Sequence, residues 1–240
     1  MSKNILVTGG NSGIGYAIAA LAKARNYDVT ICGRDAERVA TAAEALGVSG
    51  LVADMADPEQ IKVLAAHFND VGLDALVNNA AIAKFMSIKD HTLDDFDAFF
   101  NVNVRGPLLL IQALVPALAK RKGSVSNISS AVTRNGLANA SLYAASKGAV
   151  DSFTKSLALE LAADGIRVNC ISPGAIDTPI ITKLGLSPEQ IAAIKAHHEA
   201  SIPQQRYGSA DEVAHVVLAQ LEASYVTGSV WSVDGGVDAQ

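Results

Sequence analysis

Residues 4–15 have the sequence Asn-Ile-Leu-Val-Thr-Gly-Gly-Asn-Ser-Gly-Ile-Gly, and this stretch decides the fold. It joins a short apolar strand to a glycine-rich turn, and a helical pattern begins directly after it. Glycines at 9, 13 and 15 permit a tight turn, close approach of a pyrophosphate and close helix–strand packing. The helix N-terminus adds amide donors and a positive dipole. We therefore expect a dinucleotide-binding strand–turn–helix unit, with a purely structural turn as the alternative.

The bulk composition is that of one large α/β domain. The chain has 240 residues, of which 50% are hydrophobic and 18% charged, and its formal net charge is -5. A net negative charge argues against nucleic acid or an anionic membrane as the main partner. We find no apolar run of membrane-spanning length and no signal-peptide pattern, so we expect a cytoplasmic protein. Cys32 and Cys170 fall in predicted buried strands, where they serve as small hydrophobes rather than metal ligands.

Short β-branched runs alternate with Ala-rich helical stretches along the whole chain, which is the pattern of parallel βαβ units. Seven strands are predicted in one sheet, at residues 4–8, 28–32, 49–53, 75–78, 124–129, 167–172 and 229–233. Helices are predicted at residues 14–26, 36–46, 58–70, 94–118, 142–164 and 211–221. Asp35 and Asp57 are placed as helix caps. We expect a single dinucleotide-binding and catalytic domain over residues 1–240, of doubly wound Rossmann type.

One irregular stretch, residues 176–207, interrupts this alternation. It carries three prolines around a short helical pattern at residues 188–200. An insertion of this length before the last helix predicts a flap over the substrate. Its apolar side chains suggest a hydrophobic pocket, together with Val132, Asn135 and Leu137, although lid residues that pack on the core would have the same composition.

The end of the second strand bears on the choice of cofactor. An NAD-preferring site places an acidic side chain there to hold the ribose 2′-hydroxyl, whereas this chain has Gly33 followed by Arg34. A guanidinium suits a 2′-phosphate. The pattern therefore favours NADP over NAD.

A second motif lies in the middle of the chain. Tyr143 and Lys147 are four residues apart, so they share one face of a helix, and Ser130 lies thirteen residues before the tyrosine. A lysine ammonium near the ring would favour ionisation of the phenol, and moving its pKa from about 10 to near 7 requires roughly 4 kcal/mol. The spacing alone also occurs on ordinary surface helices. In this chain it predicts a tyrosine that exchanges a proton with an alcohol or ketone oxygen.

With the glycine loop, Ser130, Tyr143 and Lys147 in this order, the chain resembles the short-chain dehydrogenase/reductase family over essentially its whole length. The resemblance implies sheet order 3-2-1-4-5-6-7 and, as is frequent in the family, a homotetramer packed through the helices that carry Asn103 and Tyr143, with a dimer as the alternative. It also implies a catalytic tetrad of Asn103, Ser130, Tyr143 and Lys147. The implied cofactor contacts are Gly9, Asn11, Ser12, Gly13, Ile14, Gly15, Gly33, Arg34, Asp54, Met55, Asn79, Ala80, Ala81, Val102, Tyr143, Lys147, Pro173, Gly174, Ile176 and Thr178.

Within the family, the motifs look most like those of bacterial NADPH-dependent reductases of ketones and secondary alcohols. Two alternatives stay open. One is a 3-oxoacyl-[acyl-carrier-protein] reductase, for which the basic run at residues 120–122 would contact the carrier. The other is a non-catalytic NADP-sensing protein that retains the fold. No metal site is expected, because the five histidines are placed on polar surfaces or on the flap, without ligand spacing.

Overall fold

The computed structural model describes residues 2–178, 195 and 199–239. Its strands are β1 (Lys3–Thr8), β2 (Tyr27–Gly33), β3 (Ser49–Val52), β4 (Ala75–Asn78), β5 (Ser124–Ile128), β6 (Arg167–Pro173), β7 (Ile176–Asp177), β8 (Gly208–Ser209) and β9 (Val230–Val233). Its α-helices are α1 (Gly13–Ala24), α2 (Ala36–Leu46), α3 (Pro58–Ala66), α4 (Leu93–Phe100), α5 (Gly106–Arg121), α6 (Ser141–Glu160) and α7 (Ala210–Glu222).

The main sheet has seven parallel strands in the order β3-β2-β1-β4-β5-β6-β9. This confirms the predicted order, with β9 as the seventh strand. The winding direction reverses between β1 and β4, and ligands of such sheets bind beyond the carboxyl ends of the strands at that point. We therefore expect the ligand-binding site at the loops that follow β1, β2, β4, β5 and β6.

Two apolar clusters cover the two faces of this sheet. In β1, Ile5 and Val7 point into one cluster and Leu6 into the other, which is the alternation of a strand buried on both faces. Helices α1 and α7 complete the first cluster through Ile18 and Val217. Helices α3, α5 and α6 complete the second. Both cysteines are buried, as predicted.

The helix predicted at residues 94–118 is divided by a π-helical turn, Asn101–Arg105, between α4 and α5. Such turns are frequent at functional sites, and this one carries Asn103. The combined run Leu93–Arg121 is also long and apolar enough to cross a membrane by length and composition, contrary to our expectation from the sequence. Residues Leu110, Leu114 and Leu118 of this run are nevertheless buried in the second apolar cluster, so the run is a core helix of this fold.

The predicted flap at residues 176–207 falls partly outside the described residues. The described part contains a short parallel pair, β7 with β8, which we did not predict from the sequence. Lys195 forms an ion pair with Asp177 at 2.6 Å between Nζ and Oδ1. His197 and His198 lie outside the described residues, so the flap stays a prediction.

One histidine prediction was wrong. His67 and His215 are exposed, but the side chain of His91 is only 6% exposed. Its ring lies edge-on to Phe99 with 6.4 Å between centroids, and this packing removes it from the surface.

Candidate active site

The glycine loop after β1 is packed too closely to accept side chains. Gly9 has φ +64°, and a Cβ on Gly15 would lie 2.4 Å from the Gly9 carbonyl oxygen. The Asn79 side-chain amide donates to the carbonyls of Thr8 and Gly9 at 3.0 and 3.3 Å. In turn, the Thr8 hydroxyl accepts from the backbone N–H groups of Asn79 and Ala80. The two residues that follow β4 thus hold the glycine loop in place.

The N-terminus of α1 differs from those of α2, α3, α4 and α7. Those four helices are capped by side chains that accept hydrogen bonds from first-turn amides. Asp35 and Asp57 are two of these caps, as predicted. Ser12 occupies the cap position of α1 and makes no such bond, and the first turn of α1 contains no acidic residue. The uncapped amides of α1 therefore suit a phosphate, which supplies the acceptor and the negative charge.

The loop also meets the end of β2. A Cβ on Gly33 would lie 2.7 Å from Oδ1 of Asn11, so the absence of a side chain at Gly33 lets the glycine loop pack against β2. Arg34 follows on the surface. Within the part of the chain that the structure describes, Arg34 forms no ion pair with a carboxylate. Its guanidinium is therefore available to an anionic group near the loop.

The residues assigned to the adenine side follow β3. Asp54 accepts a hydrogen bond from the N–H of Ala56 at 2.8 Å, so one carboxylate oxygen already holds the turn before α3. Met55 is buried. Its carbonyl oxygen would lie 2.3 Å from a Cβ on Gly106, at the first residue of α5. Ala80 and Val102 pack on the same apolar cluster and border the crevice from the β4 side, and Ala81 is half-buried beside them.

The three central catalytic candidates come together beyond β5. Ser130 caps a 3-10 turn, Ala131–Thr133, and its Oγ accepts from the N–H of Val132 at 3.4 Å. The side chain of Ser130 also lies near the hydroxyl of Tyr143 in α6 and favours its ionised form. One turn further along α6, Lys147 Nζ lies 5.9 Å from the centroid of the Tyr143 ring. The predicted grouping of Ser130, Tyr143 and Lys147 is thus present in the folded chain.

The pKa values within this group follow from burial. Burial raises the pKa of the Tyr143 phenol, and the nearby Ser130 side chain works in the opposite direction with a smaller effect. Burial lowers the pKa of Lys147 from 10.5 to about 8, against the attraction of Cys170 and Asp151. The ammonium donates to the Ile128 carbonyl at 2.7 Å. Within the chain itself, burial therefore outweighs the influence of Ser130, and the pKa of Tyr143 is raised, whereas we expected it to be lowered.

Asn103 is connected to Tyr143 through Ser146, a residue that we did not predict from the sequence. Its side-chain amide donates to Ser146 Oγ and to the Ile82 carbonyl, each at 3.0 Å, and its Oδ1 accepts from the N–H of Ile82. Ser146 Oγ in turn donates to the Tyr143 carbonyl at 2.8 Å. Asn103 makes no direct hydrogen bond to Lys147 among these contacts. Ser146 lies on the same helical face as Tyr143, three residues later, and this spacing was the available signal.

The segment after β6 closes the crevice on its other side. A Cβ on Gly174 would lie 2.7 Å from the Cα of Asp234, so the chain turns tightly there against the residues that follow β9. Pro173 ends β6, and Ile176 is buried in β7. Thr178 donates from its hydroxyl to the Ile176 carbonyl. These residues lie at the carboxyl edge of the sheet, where the family resemblance places the nicotinamide.

Two aromatic rings border Tyr143. Phe85 and Phe99 lie edge-on to its ring, with centroid distances of 5.9 and 6.4 Å. Phe99 is buried, but Phe85 is 41% exposed. Neither contact could be predicted from the sequence, because they join the loop after β4 and helix α4 to helix α6.

Asn135, which we expected in the substrate pocket, forms hydrogen bonds with residues that follow β9. Its side-chain amide donates to Asp238 Oδ1 at 3.1 Å and to the Val237 carbonyl at 3.5 Å. These bonds join Asn135 to the residues that follow β9, and its place in the substrate pocket stays a prediction. Val132 is half-buried and Leu137 is exposed, so these two remain pocket candidates.

Comparisons with known proteins agree with this geometry. A family model described as Enoyl-(Acyl carrier protein) reductase matches residues 9–238. The chain is 38% identical to 3-oxoacyl-[acyl-carrier-protein] reductase FabG of Thermotoga maritima, over 98% of this chain and 97% of the relative. A solved short chain dehydrogenase/reductase family protein is 39% identical, with a TM-score of 0.90 and coverage of 99% and 98%. A structure of a variant actinorhodin polyketide ketoreductase with NADPH is 30% identical, with a TM-score of 0.91 and coverage of 100% and 98%.

Proposed function

The chain belongs to the short-chain dehydrogenase/reductase family, and on that premise we propose that it is an NADPH-dependent reductase of a ketone. The reverse reaction would oxidise a secondary alcohol. The observation that carries this proposal is the grouping of Ser130 with Tyr143, with Lys147 one helical turn away, in the crevice beside the glycine loop. The chain is an oxidoreductase by family, and the choice of substrate and cofactor is our inference.

The residues of the crevice suit a nicotinamide dinucleotide. The loop at Gly9, Gly13 and Gly15 and the uncapped amides of α1 would hold its pyrophosphate, and Arg34 would hold a 2′-phosphate. A solved relative carries NADPH, which supports the same preference. Bound NADPH would supply the hydride that reduces the carbonyl carbon of the substrate.

Tyr143 is the proposed proton donor. Its phenol is protonated at neutral pH, because burial raises a pKa that is already near 10. A group in that state can donate a proton to the carbonyl oxygen as negative charge develops there. Ser130 would donate a hydrogen bond to the same oxygen, as an oxyanion-type donor does. In oxidation the same two residues would act in reverse.

Lys147 and Asn103 have supporting roles in this proposal. A lysine ammonium has three donors, and Lys147 commits one of them to the Ile128 carbonyl. The remaining donors are available to ribose hydroxyls or to a water. Asn103 would fix α6 beneath the site through Ser146, and a proton relay by way of Asn103 would need a water between it and Lys147.

The exposed ring of Phe85 supports an apolar substrate. It lies beside Tyr143 and leaves 41% of its surface uncovered, so an alkyl or aryl group next to the reacting carbonyl could cover it. We therefore propose a small to medium apolar ketone. A homotetramer and a cytoplasmic location complete the proposal, and light scattering and cell fractionation test them.

The proposal is tested by mixing the protein with NADPH and a panel of ketones that range from short aliphatic to aryl, and following the loss of NADPH absorbance. Turnover of apolar ketones, lost in Tyr143→Phe, is the expected result. Absence of turnover across the panel, with NADPH bound tightly, would favour a non-catalytic sensor.

The second candidate is reduction of a 3-oxoacyl thioester on an acyl carrier protein, which several relatives carry in their names. The basic run at residues 120–122 gives it little support. Lys120 and Arg121 donate to the carbonyls of Asn69 and Val71, so they hold the end of α5. They also lie next to the amino end of β5, whereas the crevice is at the carboxyl edge of the sheet. A 3-oxoacyl thioester included in the panel would separate the two candidates.

A further inference from the structure

The last described residues fold back onto the loop that carries Ser130. The carboxylate of Asp238 accepts hydrogen bonds from the Arg134 guanidinium, from Asn135 at 3.1 Å and from the Ser232 hydroxyl at 2.6 Å. Arg134 also donates to Ser232 at 2.6 Å. We call the four side chains of Arg134, Asn135, Ser232 and Asp238 the C-terminal clasp. It joins residues 104 positions apart in the sequence.

The clasp is anchored to the sheet. Ser232 belongs to β9, and the carboxylate of Asp234, directly after that strand, accepts from the N–H groups of Gly236 and Asp238 at 2.9 and 2.8 Å. The side chain of Asp238 is only 10% exposed, so its bonds compete little with water. The end of the chain is therefore a fixed support.

On its other side, the clasp binds the turn at residues 130–135, which has several hydrogen bonds of its own. Thr133 donates to the Ser130 carbonyl from both its N–H and its hydroxyl, each at 3.1 Å. The N–H groups of Arg134 and Asn135 donate to the Ala131 carbonyl at 3.0 and 3.1 Å. Ser130 is thus the first residue of a turn whose last residues are held by Asp238.

We propose that Asp238 is a positioning residue that holds Ser130 where it can donate to the substrate oxygen. This inference rests on the proposed carbonyl reduction. A donor of this kind acts only when it is fixed about 3 Å from the oxygen that acquires charge, and a small displacement is costly. Without Asp238 the side chains of Arg134 and Asn135 lose their common acceptor, and only the bond of Arg134 to Ser232 and the long bond of Asn135 to the Val237 carbonyl still hold this end of the turn.

The kinetic test is a double-mutant cycle on a ketone that the wild type reduces, with Asp238→Ala, Ser130→Ala and both changes together. Asp238→Ala is expected to lower kcat about tenfold through misplacement of Ser130, with the NADPH dissociation constant changed less than about twofold. In the Ser130→Ala background the same change is expected to cost less than about twofold, because there is no hydroxyl left to position. An equal loss in both backgrounds, or no loss in either, overturns the proposal.

Glu222→Ala is the matched control. It removes another carboxylate that pairs with an arginine, Arg25, but at the end of α1 away from the crevice. Its kcat is expected to equal that of the wild type. A loss equal to that of Asp238→Ala would indicate a general structural effect and would contradict a specific role for the clasp.

A second measurement does not depend on activity. Hydrogen exchange at the amides of Val132, Arg134 and Asn135 is expected to be faster in Asp238→Ala than in the wild type and unchanged in Glu222→Ala. If the wild type reduces no ketone, the proposed function fails, while the exchange experiment still decides whether the clasp holds the turn. Unchanged exchange in Asp238→Ala overturns the clasp in either case.

Discussion

Replacing Lys147 by methionine should change how the stability of the protein depends on pH. The pKa of Lys147 falls from 10.5 to about 8 on folding, mainly because its ammonium is buried. At about 1.36 kcal/mol for each pH unit between the two values, the folded state bears a cost of about 3 kcal/mol for the charged form. The hydrogen bond to the Ile128 carbonyl favours the ammonium and works against this cost, so about 3 kcal/mol is an upper figure.

The direction of this pH dependence follows from the titration of Lys147 in the folded chain and in the unfolded chain. Below pH 8 the lysine is charged in both the folded and the unfolded chain, so the whole cost is present. Between pH 8 and 10.5 the folded chain loses the proton before the unfolded chain does, and the cost disappears. Methionine has no such proton. The free energy of unfolding of the wild type should therefore rise relative to Lys147→Met as the pH increases through this interval.

Urea unfolding of both proteins without cofactor, at several pH values from about 7 to about 10, measures this difference. We expect the wild type to gain about 2 kcal/mol on the variant over that range. Lys155→Met provides the control, because Lys155 lies exposed on the same helix, and its difference from the wild type should stay constant. A constant difference for Lys147→Met as well would refute the burial of a titrating ammonium at this site.

Three further predictions concern the crevice. Arg34→Asp should weaken NADPH binding about tenfold to a hundredfold relative to NADH binding, because one or two charge-assisted hydrogen bonds are lost. Lys23→Asp, at the far end of α1, should leave this preference unchanged. Fluorescence titration of both variants with NADPH and NADH measures the effect. Gly15→Ala should destabilise the protein by about 1–3 kcal/mol and abolish cofactor binding, because its Cβ would overlap the glycine loop. Gly148→Ala in α6 meets no atom within 4 Å and should stabilise the protein slightly in thermal unfolding. Ser130→Ala should lower kcat about a hundredfold or more and leave NADPH affinity unchanged, and a loss confined to KM would contradict its role.

Much of the sheet could be predicted from sequence because its signals are local. Each buried strand is a short β-branched run, and the caps Asp35 and Asp57 precede their helices directly. The π-helical turn at Asn101–Arg105 was not predicted, since a turn with wider hydrogen bonding barely alters the apolar periodicity of the long helix. The β7–β8 pair was missed because each strand has only two residues.

In the candidate site too, local groupings could be predicted from the sequence and long-range contacts could not. Tyr143 and Lys147 are brought together by one helix, so their spacing was enough to group them. The Phe85 contact with Tyr143 and the bond between Arg134 and Asp238 join distant segments, and only the folded chain shows them. The pKa of Tyr143 depends mainly on burial, which no motif reveals, and this is why we expected a lowered pKa where the folded chain has a raised one.

The central claim is that Tyr143 donates the proton in an NADPH-dependent carbonyl reduction. The most direct measurement compares the wild type and Tyr143→Phe on the best ketone of the panel, with the NADPH dissociation constant and the melting temperature determined for both. We predict that kcat falls about a hundredfold to ten-thousandfold, the usual contribution of a general acid, while cofactor affinity and melting temperature stay close to those of the wild type. A kcat of Tyr143→Phe within about threefold of the wild-type value would contradict the claim, because that loss is far smaller than the contribution of a general acid.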